Sequence, residues 1–297
     1  YISMQTKLEK VLDSFHPELE LINFEPLVGG ASSEVFLIKA KRDNKELKLV
    51  LRAEGGPPSK NSIQTEFNLL KSLNDVTIPS AEPLFIDTSC NILDQPFMLL
   101  SFLEGNNKMP REENIDLIPK MVEQLILIHS TNLAVLSNLP LQINPLDGLH
   151  EYLPKGKEWT ELGNYLSSLK NTAFKGKRVF LHGDFWLGNI LWSEDEIVGV
   201  VDWDYAAIGD PLSDLAVSSL EMRYEFGKEG MNQFCEAYLK HSMIDNSRFS
   251  LWLISIASST LHFINQWNLS EAKKNLIKTE ALLTIQEEFQ SLLDSKD

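Results

Sequence analysis

The spacing of hydrophobic and polar residues changes about one third of the way along the chain. Short stretches rich in β-branched and large apolar residues come first, at 21–27, 34–40 and 47–52, and Asp43-Asn44 separates the last two. Such stretches, bounded by turn-forming residues, are typical of strands. We predict an antiparallel meander at the start of the chain.

A helix should follow this meander. Ser62 is a suitable N-cap, and Ile63, Phe67 and Leu70 are spaced to form one apolar stripe that continues to Leu73. Two further strands are expected after the helix, at 84–87 and 96–103. The first hundred residues therefore predict strands with one helix among them.

Helical periodicity dominates the rest of the chain. Helices are expected over 112–129 and 149–169, and Asp210-Pro211 should open another, because it places an N-cap before a proline. Three short apolar strands interrupt this region, at 179–182, 190–192 and 197–201. We predict an α+β fold of two lobes, an N-lobe over 1–103 and a larger, mainly helical C-lobe over 104–297.

Charge and composition exclude several classes of protein. The 42 acidic and 27 basic residues give a net charge of −15, which argues against a nucleic-acid partner. Cys90 and Cys235 lie far apart and form no CxxC pair, so a reducing cytoplasm is the expected location. The uncharged stretch 251–270 carries too many polar residues for a membrane span and is predicted to be a buried helix. The oligomeric state is left open.

The strongest chemical signal lies beside the three short strands. Asp184 follows the first strand, Asn189 lies five residues later, and Asp202 follows the third strand. Carboxylate and amide oxygens of this kind suit Mg²⁺, which also accepts phosphate oxygens and water. Phosphoryl transfer needs metal ions on the nucleotide and a base that orients the acceptor hydroxyl. To meet these two requirements, we predict Asp184 as the base and Asn189 and Asp202 as metal ligands.

These residues carry a family resemblance. The pattern H-G-D-x-x-x-x-N at 182–189, followed by V-D-W-D at 201–204 and G-D-P-x-x-D-L-A at 209–216, resembles the aminoglycoside phosphotransferases and choline kinases. Within that group, the chain looks like the domains related to or fused with acyl-CoA dehydrogenases. The resemblance implies a protein-kinase-like fold and a kinase that uses Mg-ATP or Mg-GTP. It also implies that Asp214 braces the catalytic loop.

The same resemblance implies a nucleotide site in the N-lobe. Arg52 stands where kinases place a phosphate-binding lysine, with Glu66 as its partner, although Lys60 is a competing candidate. The backbone around Ser101 and Leu103 should hold the base. The loop between the first two strands should cover the phosphates with Gly29, Gly30, Ser32 and Ser33.

Several residues have plainer interpretations. His182 is expected to hold its loop rather than to transfer protons, and Trp203 and Trp186 could pack in the core as readily as stack on an acceptor. Arg52 and Glu66 could form a surface ion pair. Glu221, Glu225 and Glu229 could attract a cationic acceptor, but their spacing of four also describes a solvated helix face.

The acceptor is predicted to be a hydroxyl-bearing small molecule such as an aminoglycoside, amino alcohol or sugar. Two other functions compete with a kinase. A pseudokinase that binds nucleotide without transfer is disfavoured, because none of the expected metal or base positions is missing from the sequence. A metallophosphoesterase is disfavoured, because its D-x-H and G-N-H-D/E motifs are missing from the sequence.

Overall fold

A computed structural model of the protein describes residues 2–27, 34–55, 61–107 and 115–296. The chain packs into two compact units, and neither is continuous in sequence. The first unit comprises residues 1–108, 134–139 and 188–205, and the second comprises residues 109–133, 140–187 and 206–297.

The described elements follow one another in the order α1 (Met4–Phe15), β1 (Glu20–Pro26), β2 (Glu34–Arg42), β3 (Lys45–Ala53), α2 (Ile63–Leu73), β4 (Pro83–Asp87), β5 (Phe97–Ser101), α3 (Ile118–His129), α4 (Leu149–Tyr152), α5 (Thr160–Ser168), β6 (Val179–Leu181), β7 (Ile190–Ser193), β8 (Glu196–Val200), β9 (Ala207–Gly209), α6 (Pro211–Leu239), α7 (Asn246–Phe263) and α8 (Glu271–Asp294).

A five-stranded antiparallel sheet forms the centre of the first unit, in the order β1-β2-β3-β5-β4. The predicted turn at Asp43-Asn44 is present, and both residues have positive φ angles, 50° and 62°. That backbone conformation matches the twist of a two-residue hairpin. Ser62 caps α2 as predicted, since its hydroxyl accepts a hydrogen bond from the Thr65 amide at 3.2 Å.

Helix α1 was not predicted from the sequence. Leu8, Val11 and Leu12 are fully buried and belong to the same apolar core as Ile38 of β2 and Leu51 of β3. Their spacing places them on one helix face. The first unit therefore contains α1 as well as the predicted α2.

The hairpin of β7 and β8 packs with the first unit, although it lies between helices in the sequence. Asn106 and Trp192 exchange two backbone hydrogen bonds, at 3.0 and 2.7 Å, and the Val200 amide donates to the Pro79 carbonyl at 2.8 Å. Trp192 is completely buried. These contacts attach the 188–205 segment to the sheet unit.

The second unit contains the remaining helices, with a short antiparallel pair of β6 and β9. Helix α3 ends at His129 as predicted. The helix expected over 149–169 is instead broken into α4 and α5, because Pro154 and Gly156, whose φ is 140°, interrupt it. The predicted buried helix is α7, which begins earlier, after the N-cap Asp245, and ends at Phe263, before the predicted end at residue 270.

Helix α6 is bent in its middle. Gly227 has φ 71° and ψ −171°, which is not a helical conformation. Glycine adopts such a backbone at no steric cost. Within the described ranges, every helix is too short or too polar to span a bilayer.

Candidate active site

The loop after β6 is fixed by the side chain of Asp214 on α6. One carboxylate oxygen accepts the His182 amide at 2.9 Å, and the other accepts the Gly183 amide at 2.8 Å. One turn further along α6, the Ser218 hydroxyl donates to the Phe185 carbonyl at 2.6 Å. The chain is therefore held on both sides of Asp184, and the bracing expected of Asp214 is present.

Asp214 is completely buried. Burial alone would raise the pKa of its carboxyl group, but the hydrogen bond and charge of His129, the charge of His182 and the Gly183 amide hold that pKa below its ordinary value. The carboxyl group therefore stays ionised, and both of its oxygens can accept hydrogen bonds from the loop amides.

His182 orients the residue that follows Gly183. Its Nδ1 accepts the Asp184 amide at 3.1 Å, and its buried ring lies 5.9 Å from the Phe185 ring in an edge-on arrangement. These contacts agree with the prediction that His182 holds the loop.

Glu221 lies on the same face of α6 as Asp214 and Ser218, since the three residues are spaced four and three positions apart. It is half-buried. Burial, together with the negative charges of Asp184 and Glu225, raises the pKa of Glu221 to about 8. A half-buried carboxyl group beside Asp184 is not a solvated helix face, whereas Glu225 is exposed and pairs with Lys273 at 2.8 Å.

Asn189 and Asp202 belong to the first unit and flank the hairpin of β7 and β8. Ile190 pairs with Val200, so the residues before β7 and after β8 meet at one end of the hairpin. The Val201 amide donates to the Asn189 carbonyl at 3.0 Å. Asn189 is buried, and Asp202 has a φ of 61°, a strained conformation for a residue with a side chain.

Arg52 of β3 lies among three acidic side chains of the first unit, those of Glu66, Asp202 and Asp204, which we call the acidic cluster. Its Nη2 lies 3.0 Å from Asp202 and 2.5 Å from Asp204, and its Nε lies 3.1 Å from Glu66 of α2. Arg52 is 8% exposed, so the predicted pair with Glu66 is a buried ion pair and not a surface one. Burial lowers the pKa of Arg52, but the three carboxyl groups more than offset this and raise it above its ordinary value.

Asp204 was not assigned a role from the sequence. It is buried, and its carbonyl accepts the Asn61 amide at 2.9 Å. Burial raises the pKa of Glu66 to about 8, the negative charges of Asp204 and Asp202 add to the shift, and Arg52 opposes it. The V-D-W-D motif was the available signal, because it places a second acid two positions after Asp202.

The structure describes two of the other residues that are predicted to contact the nucleotide, Ser101 and Leu103. Ser101 ends β5, where its hydroxyl accepts the Glu82 amide at 2.8 Å and its amide donates to the Glu82 carbonyl at 2.9 Å. Leu103 is half-buried. The residues predicted to cover the phosphates, Gly29, Gly30, Ser32 and Ser33, lie outside the described residues. Lys60, the alternative to Arg52 as the phosphate-binding cation, also lies outside them. Trp203 is buried in the core and donates to the Val200 carbonyl at 3.1 Å, so it does not face an acceptor.

Asn189 and Asp202 have side-chain oxygens of the kind that a divalent cation takes as ligands. Nearby, one guanidinium meets three carboxyl groups, those of Glu66, Asp202 and Asp204, and the pKa of Glu66 is raised mainly by burial, with the charges of Asp204 and Asp202 adding to the shift. Carboxylate and amide oxygens are the protein ligands that Mg²⁺ prefers. In the described part of the chain, no three His, Cys, Asp or Glu side chains form a metal centre by themselves.

The fold has clear structural relatives. The choline kinase LicA from Streptococcus pneumoniae superposes with a TM-score of 0.66, at 17% identity, over 96% of this chain and 99% of that one. A thermostable mutant of aminoglycoside phosphotransferase APH(4)-Ia, in a ternary complex with AMP-PNP and hygromycin B, gives a TM-score of 0.63 at 15% identity, over 95% and 98%. These likenesses confirm the α+β kinase-like fold.

Sequence comparison finds the expected relatives. Acyl-CoA dehydrogenase family member 10 of Mus musculus is 24% identical over 225 residues, which are 68% of this chain but 20% of that protein, so the chain spans about a fifth of its length. The model of the phosphotransferase enzyme family matches residues 23–252. This range includes both the Arg52 cluster and the braced loop. The resemblance seen in the motifs is confirmed, and the chain belongs to the phosphotransferase enzyme family.

Proposed function

We propose that the chain is a small-molecule kinase that transfers the γ-phosphate of ATP or GTP to a hydroxyl group. The observation that carries this proposal is the loop around Asp184, which Asp214 and Ser218 hold on both sides. A fixed loop presents one carboxylate in a defined position, and positioning is most of what phosphoryl transfer requires of a protein.

Asp184 acts as the general base in this proposal. Its carboxylate takes the proton of the acceptor hydroxyl while the hydroxyl oxygen bonds to the γ-phosphorus. The bond between that phosphorus and the β-phosphate oxygen breaks, and the nucleoside diphosphate leaves with the electron pair. The orienting contact from His182 keeps the Asp184 backbone in place during this step.

Asn189 and Asp202 would hold Mg²⁺, which supplies positive charge for the nucleotide phosphates when it is bound. Arg52 would contact the α- and β-phosphates, and Glu66 would orient its guanidinium. Gly29, Gly30, Ser32 and Ser33 would cover the phosphates, and the segment of Ser101 and Leu103 would take the base. The support for this assignment is the buried contact of Arg52 with both Glu66 and Asp202.

We also propose that residues 1–103 carry most of the nucleotide site and residues 104–297 most of the acceptor site. The hairpin bearing Asn189 packs with the first unit, so the nucleotide side would gain the 188–205 segment. Two free cysteines, Cys90 and Cys235, suit the reducing cytoplasm.

A cationic acceptor is the substrate class that we favour. Glu221 is a half-buried carboxyl group that lies close enough to Asp184 for their charges to interact. An ammonium group on the acceptor would offset the cost of ionising Glu221. The choline and aminoglycoside kinases of this fold agree with such a preference.

The test is direct phosphate transfer from radiolabelled Mg-ATP and Mg-GTP to a panel of amino alcohols, amino sugars and neutral sugars. Asp184→Asn should lower kcat by about 10²- to 10⁴-fold. Asp75→Asn, the same change at an exposed position, is the control and should leave kcat unchanged. Thermal stabilisation by Mg-nucleotide without transfer to any acceptor would instead support a pseudokinase.

A further inference from the structure

Lys273 is a cation held against the acidic side chains of α6. It lies in the first turn of α8, and its Nζ is 2.8 Å from a Glu225 carboxylate oxygen and 3.4 Å from the Tyr224 carbonyl oxygen. We propose that Lys273 is a specificity-determining residue of the acceptor site, which occupies Glu225 and so selects acceptors with one ammonium group over acceptors with two. This inference rests on the proposed kinase function, whose cationic acceptor it narrows.

Two carboxyl groups follow one another along α6, away from the catalytic loop. Ser218 contacts the Phe185 carbonyl, one residue after Asp184. Glu221 and Glu225 come three and seven positions after Ser218, on the same side of the helix. The backbone of α6 is helical over this stretch, and a rise of about 1.5 Å per residue places Glu225 about 6 Å beyond Glu221. Glu221 is therefore the nearer of the two to the loop that carries Asp184.

The two carboxyl groups differ in their partners. Within the described ranges, no hydrogen bond or ion pair reaches the half-buried Glu221. Burial and the charges of Asp184 and Glu225 raise the pKa of Glu221 to about 8. Glu225, by contrast, is paired with Lys273. An ammonium group that approaches Glu221 meets an unpaired carboxyl group, whereas one that approaches Glu225 must displace a lysine.

The position of Lys273 does not favour α8 itself. The first turn of a helix favours acidic side chains, because the N-terminus is the positive end of the helix dipole. Lys273 nevertheless lies three residues after the N-cap Ser270. Its ammonium is held by two acceptors of α6, the Glu225 carboxylate and the Tyr224 carbonyl. The lysine therefore serves the acidic side of α6 and not the start of its own helix.

The charge of Lys273 also reaches the unpaired carboxyl group. It opposes the rise in the pKa of Glu221, so the two side chains lie within the range of each other's charges. A cation in this place repels a second ammonium group on an acceptor that is already bound at Glu221. Such a repulsive contact discriminates between ligands that share every attractive one. An acceptor with a single ammonium group avoids that cost.

Three secondary alcohols on the same butane chain test the selection: butanol without an amine, aminobutanol with one terminal amine, and diaminobutanol with an amine at each end. The nitrogens of the extended diamine are about 6 Å apart, which matches the spacing of Glu221 and Glu225 along the helix. For each alcohol, kcat/KM per folded molecule is measured with Mg-ATP. Dissociation constants of the same alcohols are measured by calorimetry. The readout is the ratio of the diamine to the monoamine.

Four variants separate selection from a merely structural ion pair. Lys273→Met removes the cation, and Lys273→Arg keeps it. Lys228→Met is the matched control, because Lys228 also joins α6 to α8, through Glu287 at 3.1 Å. The double variant Lys273→Met with Glu225→Gln also removes the carboxylate that a second ammonium group would bind. It shows whether the effect of the lysine acts through Glu225.

The wild-type protein should prefer the monoamine. Lys273→Met should raise the diamine-to-monoamine ratio about 5- to 20-fold and change the monoamine itself less than about threefold. Lys273→Arg, Lys228→Met and the double variant should keep the wild-type ratio. An unchanged ratio in Lys273→Met would overturn the inference, as would an equal rise in Lys228→Met or in the double variant, or a wild-type preference for the diamine or for butanol. If no alcohol is phosphorylated but the dissociation constants shift as expected, the proposed function fails and the selection by Lys273 stands.

Discussion

Arg52 Nη2 lies 2.5 Å from an Asp204 carboxylate oxygen, across 152 positions of sequence. The same nitrogen reaches Asp202 at 3.0 Å, and Nε reaches Glu66 at 3.1 Å. These contacts use two different nitrogens of one rigid guanidinium group. A lysine has a single charged nitrogen and could not make them in the same way. Arginine at this position therefore serves the geometry of the cluster as well as its charge.

Removal of the guanidinium should destabilise the protein strongly. Arg52→Met leaves buried carboxyl groups without their cation, and we expect a loss of about 3–5 kcal/mol in the free energy of unfolding. Arg42→Met, which removes an exposed partner of Asp43, should cost about 1 kcal/mol or less. Urea unfolding at pH 7 measures both. Equal losses in the two variants would contradict the buried cluster.

The carboxyl group of Glu221 should make stability depend on pH. Its pKa of about 8 in the folded protein exceeds the ordinary value of 4.5, so between these pH values the folded state binds a proton that the unfolded state releases. Stability must then fall as pH rises from about 4.5 to about 8, and this contribution levels off above pH 8, where both states are ionised. Glu221→Gln should remove this part of the decline, and its advantage over wild type should grow from pH 5 to pH 9 in thermal unfolding scans.

Glu229→Gln is the control for that experiment, because Glu229 is exposed on the same helix. It should run parallel to the wild-type profile. Parallel profiles for Glu221→Gln and wild type would show that Glu221 ionises at its ordinary pH.

Two glycine substitutions should have opposite signs. A Cβ at either Gly227 or Gly163 would meet no atom within 4 Å, so only backbone conformation separates them. Gly227→Ala must force alanine into φ 71° and ψ −171° and should cost about 1–3 kcal/mol. Gly163→Ala, inside α5, should stabilise by up to about 1 kcal/mol. Chemical denaturation of both variants checks the difference in sign.

Two neighbouring serines should also differ. Ser218→Ala removes the donor to the Phe185 carbonyl and should cost about 1–3 kcal/mol, with faster amide exchange around Asp184. Ser219 donates to the Leu215 carbonyl one helical turn earlier, an acceptor that the helix already uses, so Ser219→Ala should cost less than about 1 kcal/mol. A larger loss from Ser219→Ala would refute the anchoring role of Ser218.

Local chemistry made much of the fold predictable. The turn at Asp43-Asn44, the Ser62 cap and the Asp210-Pro211 helix start each depend on residues within a few positions of one another, and all are present. Pro154 and Gly156, which break the helix between α4 and α5, are local signals too. The prediction of one continuous helix gave more weight to the apolar periodicity on either side of them.

The parts that the sequence did not reveal depend on distant partners. The role of Asp204 follows from its contact with Arg52, and the raised pKa of Glu221 follows from burial and from a charge 37 positions away. His129 carries no motif at all, and its contact with Asp214 joins α3 to α6. Such pairings arise from tertiary packing between residues far apart in the sequence, so the pattern of neighbouring residues does not predict them.

The placement of the β7–β8 hairpin constrains how the chain can fold during synthesis. The sheet unit contains residues 1–108, but it also contains residues 188–205, which include the buried Trp192. A nascent chain that ends before this hairpin has every strand of the main sheet and still lacks part of its apolar covering. The sheet unit therefore cannot finish packing until residue 205 has left the ribosome, by which time much of the helical unit has been made.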